Sequence, residues 1–130
     1  MSPQGKPPAD GPSPSWVLLL QRGSEDVLYE AAAMTAAAAS LGISVTLIWF
    51  DAALEALVSG RIEESEAEPL SAGRLLREAR EAGTVRYLAC SASAVASRFR
   101  ADRVRGAVDA IVGWPTAISL IRAAERSFIW

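Results

Sequence analysis

The stretch WVLLLQRGSED, residues 16–26, contains the pattern that decides the fold. Its first six residues form an apolar run without polar alternation, which is typical of a strand buried on both faces of a parallel sheet. Arg22 and Gly23 then turn the chain, and Ser24 is a suitable N-cap for a helix with two acidic residues in its first turn. A buried strand, a short turn and a capped helix together predict a βα unit.

The same alternation of strand and helix repeats along the rest of the chain. Asp51 is expected to cap the second helix, whereas residues 60–69 are acidic and end in proline, which predicts an exposed loop. Further strands are predicted at residues 44–50, 85–89, 109–112 and 127–130, and helices at residues 24–41, 51–59, 71–82, 91–98 and 114–125. This order predicts a single-domain α/β fold with a mostly parallel sheet of about five strands and helices on both faces.

Composition limits the classes of function. The 130 residues fit one domain, and a net charge of -2 offers no general attraction to nucleic acid or to an anionic membrane. Five of the seven prolines fall in residues 1–15, which predicts a disordered Pro-rich tail before a domain at residues 16–130. A single cysteine forms no internal disulfide, so a reducing, cytoplasmic setting is expected.

The uncharged stretch at residues 31–50 is the one segment long enough to suggest a membrane span. Seven of its residues are alanines, which contribute little to insertion, and Gly42 divides a helix-like half from a β-like half. Two elements of a folded domain explain the stretch better, and no membrane association is expected.

The order of these segments resembles the DsrE/DsrF family of small α/β sulfur-handling proteins, and the resemblance covers residues 16–130. It rests on VLLLQRGSED, SVTLIWF, YLACSAS and IVGWPTAISLI, followed by an apolar terminal strand. The resemblance implies a flavodoxin-like three-layer domain that forms trimers or hexamers. It also places Cys90 at the position of the family's cysteine, which in sulfur-relay members accepts sulfane sulfur as a persulfide and passes it to a partner.

The residues around Cys90 give this expectation a physical basis. A thiol between a strand's carboxyl end and a helix start meets the positive end of that helix, which favours the thiolate. We expect the sulfur to face solvent, with Ser91 and Ser93 as hydrogen-bond donors to a thiolate or persulfide. The alternative is a buried structural cysteine in a non-catalytic oligomeric binding module of the same fold, since free cysteines are among the most buried residues.

Other candidate residues follow the remaining strands, because the carboxyl ends of parallel strands share one sheet edge. Gln21, Arg22 and Ser24 are expected to supply hydrogen-bond donors there. Gly113 and Trp114 are expected to wall a pocket or to enter a subunit interface. A third reading is therefore a small-molecule pocket lined by Trp114 and the loop after Gln21.

Several chemistries are set aside. Without histidine there is no Ser-His-Asp or Cys-His machinery, and one cysteine with scattered carboxylates predicts no metal cage. RGSED lacks the glycine pattern of a nucleotide-binding loop, so no cofactor is expected. No second cysteine is present to resolve a persulfide, so transfer would involve a separate sulfur donor or acceptor protein, or a small thiol. Four arginines, Arg98, Arg100, Arg103 and Arg105, form either a docking site for an acidic partner or a solvated loop.

Overall fold

The protein is described by a computed structural model over residues 14–130. Its strands are β1 (Ser15–Leu20), β2 (Ser44–Trp49), β3 (Val85–Cys90), β4 (Ala110–Val112) and β5 (Arg126–Ile129). They form one sheet in the order β4-β3-β2-β1-β5, and every neighbouring pair is parallel. The predicted single-domain α/β fold with a parallel sheet of five strands is confirmed.

Seven α-helices connect the strands within residues 14–130. They are α1 (Glu25–Ser40), α2 (Asp51–Val58), α3 (Arg61–Glu64), α4 (Ala72–Ala82), α5 (Ser91–Ala96), α6 (Ala101–Ala107) and α7 (Trp114–Ala123), and a short 3-10 helix at Ser65–Ala67 follows α3. None of these helices is long and apolar enough to cross a membrane.

The two faces of the sheet carry separate hydrophobic cores because side chains alternate along each strand. Leu18 and Leu20 of β1 belong to the larger core, together with Trp49 of β2. The intervening Leu19 belongs to a smaller core on the opposite face, with Ile48 of β2. Both faces are therefore buried, as expected for strands without polar alternation.

The helices divide unequally between the faces, which we call the thick face and the thin face. The thick face carries the larger core, to which α1, α2, α3, α4 and α6 contribute buried side chains and against which Ala94 of α5 packs. The thin face carries the smaller core, where Ala117 of α7 is buried and Leu120, Ile121 and Ala124 pack at its margin. Helices on both faces are thus confirmed, with α7 covering the second face.

Two connections differ from the sequence prediction. Residues 60–69, predicted as a solvated loop, contain α3 and the 3-10 helix, and Ile62 is buried. Helix α6 occupies part of the predicted arginine loop, because Val104 is fully buried in the larger core. In each case one apolar side chain fixes an otherwise polar segment to the thick face.

Three smaller predictions also need correction. Asp51 is not the N-cap of α2 but its first residue, and Phe50 stands at the cap. Ser91 and Ser93, which follow a predicted strand and are residue types that favour N-cap positions, do not cap α5, whose N-cap is Cys90. The predicted tail at residues 1–15 lies outside the described residues except for its last two, of which Ser15 begins β1.

Candidate functional site

Cys90 is the last residue of β3 and stands at the carboxyl edge of the sheet. It pairs in register with Val112, the last residue of β4. The next residue, Ser91, begins α5, while Gly113 is the N-cap of α7. The sequence predicted this edge position correctly, because it follows from the alternation of strand and helix.

The helices that follow β3 and β4 lie on opposite faces of the sheet. β3 and β4 are neighbours, but the helix after β3 packs on the thick face, whereas the helix after β4 packs on the thin face. In open α/β sheets, ligands bind in the crevice where adjacent strands send their connections to opposite faces. Cys90 and Gly113 flank this crevice, so the topology puts the cysteine where such folds locate their reactive groups.

The prediction that the Cys90 sulfur faces solvent is wrong. Cys90 is only 4% exposed and belongs to the thin-face core. It lines a small recess with Ile48, Phe50 and Ala117, and that recess is too small to admit a water molecule. The side chain points into the core beneath α7, and the thiol is covered in this conformation.

Trp114 forms the outer part of the same recess. Its indole lies 5.2 Å from the Phe50 ring between ring centroids, at an interplanar angle of 30°, and the residue is 49% exposed. Gly113 is adjacent to Ser91, since a Cβ added to the glycine would lie 3.7 Å from Ser91 Oγ. The structure therefore brings Ser91, Gly113 and Trp114 together around Cys90.

Ser93 has a different partner from the one that the sequence suggested. Its hydroxyl donates a hydrogen bond of 2.9 Å to the Asp51 carboxylate. Asp51 adopts a φ of 45°, in the left-handed region that aspartate tolerates better than most residues. This contact joins the start of α2 to α5, so the single Ser93 hydroxyl proton is engaged on the thick face.

Gln21, Arg22 and Ser24 lie after β1, and β2 separates that strand from β3. The Gln21 backbone N–H donates to the Trp130 carbonyl at 3.0 Å, and its carbonyl accepts from Ala53 at 3.1 Å. The recess at Cys90 and Trp114 does not include these three residues. The loop after Gln21 is thus at the predicted sheet edge but does not share that recess.

Three arginines of the predicted cluster form contacts with neighbouring side chains of the protein. Arg98 lies 3.9 Å from the Glu55 carboxylate, and Arg100 lies 3.5 Å from Asp102. The guanidinium groups of Arg98 and Arg103 also stack on the Phe99 ring at 4.5 and 5.0 Å from its centroid. Carboxylates of the protein thus pair with Arg98 and Arg100, and Arg103 stacks on an aromatic ring.

Two larger cavities lie on the thick face and were missed by the sequence reasoning. One has a volume of about 480 Å³ and lies between the first turn of α1 and the segment from α3 to the start of α4. The other, of about 370 Å³, lies beside Tyr87 and Arg80. Burial raises the pKa of the Tyr87 hydroxyl above its ordinary value of 10.0, and the neighbouring Arg80 partly opposes that shift. The only signal for these cavities was Ile62, an isolated apolar residue within the acidic segment.

Neither a metal site nor a similar protein identifies the function of this site. Across residues 14–130 the structure places no three histidine, cysteine, aspartate or glutamate side chains so that they could hold a metal ion. No protein-family model matches the sequence, and a comparison with curated proteins gives no match.

Proposed function

We propose that this protein is a DsrE-like sulfur carrier in which Cys90 accepts sulfane sulfur as a persulfide. The observation that carries the proposal is the place of Cys90 at the end of β3, next to the end of β4, since the helices after these two strands leave the sheet toward opposite faces. The resemblance of residues 16–130 to the DsrE/DsrF family supports the same role, because its cysteine falls at this position.

The transfer needs no oxidant. The Cys90 thiolate attacks the terminal sulfur of a persulfide donor, and a new S–S bond forms on Cys90. The S–S bond of the donor breaks, and its inner sulfur leaves as a thiolate that takes up the proton lost by Cys90. An acceptor thiol removes the terminal sulfur by the same exchange in the opposite direction. Atoms and electrons balance in both steps, and Cys90 returns to its thiol.

The burial of Cys90 gives this cycle a closed resting state. A covered persulfide reacts with small thiols only during the fraction of time in which the recess is open, so burial slows its loss without preventing transfer. Trp114 is the half-exposed side chain at the outside of that recess. Displacing it exposes the sulfur without disturbing the thick-face core, so Trp114 acts in this proposal as the cover of the site.

A second candidate is a non-catalytic oligomeric binding module in which Cys90 only fills space. The observation that favours it is the 4% exposure of Cys90 within an apolar core. Trp114 and Ile118 lie one turn apart on α7 and both are about half exposed, which suits a face between subunits. In this case the tryptophan belongs to an interface rather than to a cover.

Mass spectrometry of the intact native protein separates the two candidates. The protein is incubated with a low-molecular-weight persulfide and then passed through a desalting column. A sulfur carrier gains the mass of one sulfur atom, loses it on addition of an acceptor thiol, and gains nothing as the Cys90→Ser variant. A native chain that stays unmodified, while the urea-unfolded chain reacts, overturns the carrier and supports the packing role.

A further inference from the structure

The larger of these two cavities on the thick face has the volume of a ligand site, with an apolar floor and charged side chains at its margin. Its volume of about 480 Å³ lies within the range usual for small-molecule pockets. Leu28 and Ile62 are buried and form apolar parts of its lining, while Tyr29 and Leu70 are exposed beside them. Leu70 is 70% exposed and adopts a φ of 62°, a strained conformation for a leucine. We call this cavity the acidic groove.

Its charged lining is predominantly negative. Glu25, Glu64 and Glu68 supply three carboxylates, and Arg61 supplies one guanidinium. Within residues 14–130, none of these four groups forms an ion pair closer than 4.0 Å. The carboxylates are therefore available to a ligand, and their excess over the guanidinium favours a cation.

The helix N-termini at the groove would favour an anion, but side chains of the protein already lie at both of them. At α1, Glu25 and Asp26 lie in the first turn, where carboxylates complement the helix dipole, and the pKa of Asp26 is lowered, first by a hydrogen bond from the Ser24 hydroxyl. At α4, Ser71 Oγ accepts from the backbone N–H of Arg74 at 3.1 Å. The carboxylates in the first turn of α1 and the Ser71 cap of α4 thus reduce the attraction of these helix starts for an anion.

We propose that the acidic groove binds a small organic amine, in which a protonated amino group is attached to an aliphatic or aromatic body. The ammonium group pairs with the carboxylates of Glu64 and Glu68, and the body lies against Leu28 and Ile62. The exposed Tyr29 ring offers a face on which a cation is also stabilised. This site goes beyond the proposed sulfur transfer, since Cys90 lines a different recess.

Three probes of one shape test the charge that the groove prefers. Titration calorimetry on the full chain compares 4-phenylbutylamine, 4-phenylbutan-1-ol and 4-phenylbutanoate. The amine should bind about tenfold more tightly than the neutral alcohol, because two nearby carboxylates each attract it through partly aqueous surroundings. The carboxylate probe should bind most weakly, and added salt should reduce the advantage of the amine.

Charge-matched variants locate the effect. The Glu64→Gln/Glu68→Gln double variant should weaken amine binding about tenfold and leave the affinity for the alcohol unchanged. The control is Glu63→Gln/Glu78→Gln, which removes the same charge from two exposed residues that do not line the groove and should bind the amine like the unmodified chain.

Four results overturn the proposal. These are equal affinity for amine and alcohol, preference for the carboxylate probe, equal loss in the two double variants, and no binding of the amine at millimolar concentration. None of them depends on Cys90, so the amine site and the sulfur-carrier role stand or fall separately.

Discussion

The two faces of the sheet differ in how much structure covers them. On the thick face, α1 to α6 and the larger core lie over the strands, whereas on the thin face α7 supplies the helical cover. Neighbouring residues of one strand experience this difference, since Leu18 faces the larger core and Leu19 the smaller one. Local opening should cost less where fewer elements must move, so the thin face is the side through which Cys90 becomes reachable.

The largest expected effect comes from replacing the two neighbouring leucines. Leu18→Ala should lower the free energy of unfolding by about 4 kcal/mol, because a thick, rigid core relaxes little around the new cavity. Leu19→Ala should cost about 3 kcal/mol, since α7 can settle toward the sheet. Urea unfolding of both variants provides the comparison. If Leu19→Ala costs as much as Leu18→Ala or more, the thin face is not the looser one.

A smaller effect tests how the acidic groove is held on the thick face. Gly73 of α4 faces the Ile62 carbonyl and the Ser65 hydroxyl, and an added Cβ would overlap both. Gly73→Ala should therefore lower the free energy of unfolding by about 2 kcal/mol, because backbone must shift to accommodate the methyl group. The readout is again the urea midpoint.

Gly106 of α6 is the matched control, since an added Cβ there meets nothing within 4 Å. Gly106→Ala should stabilise the protein by about 0.5 kcal/mol through helix propensity alone. Equal effects at the two glycines would show that α4 does not depend on this close contact.

Local sequence patterns were sufficient to predict most helices and strands and the position of Cys90 at the carboxyl edge of the sheet. The apolar run at residues 16–21 and the β-branched run at residues 44–50 each matched a strand to within a residue, because burial on both faces leaves a clear signal. The position of Cys90 followed from the same alternation. These patterns report composition along the chain, where the burial of a strand and the alternation of strands with helices each leave a signal.

The features that were predicted wrongly depend on contacts between segments that are distant in the sequence. Residues 60–69 look like a solvated loop because Ile62 is their single large apolar residue, and its burial depends on α4. The exposure of Cys90 was predicted wrongly because α7 returns across the thin face and buries Ala117 beside it. Neither contact has a local signature, since each joins segments that are separated by other elements.

The most direct measurement of the central claim is the rate at which a small alkylating reagent modifies Cys90 in the native protein. If the sulfur is reached when Trp114 moves aside, Trp114→Ala should raise the rate about tenfold, as loss of one aromatic contact implies. Ile118→Ala, one turn further along α7 and outside the recess, should leave it unchanged. A native rate equal to that of global unfolding in all three proteins would contradict the account and leave Cys90 as a packing residue.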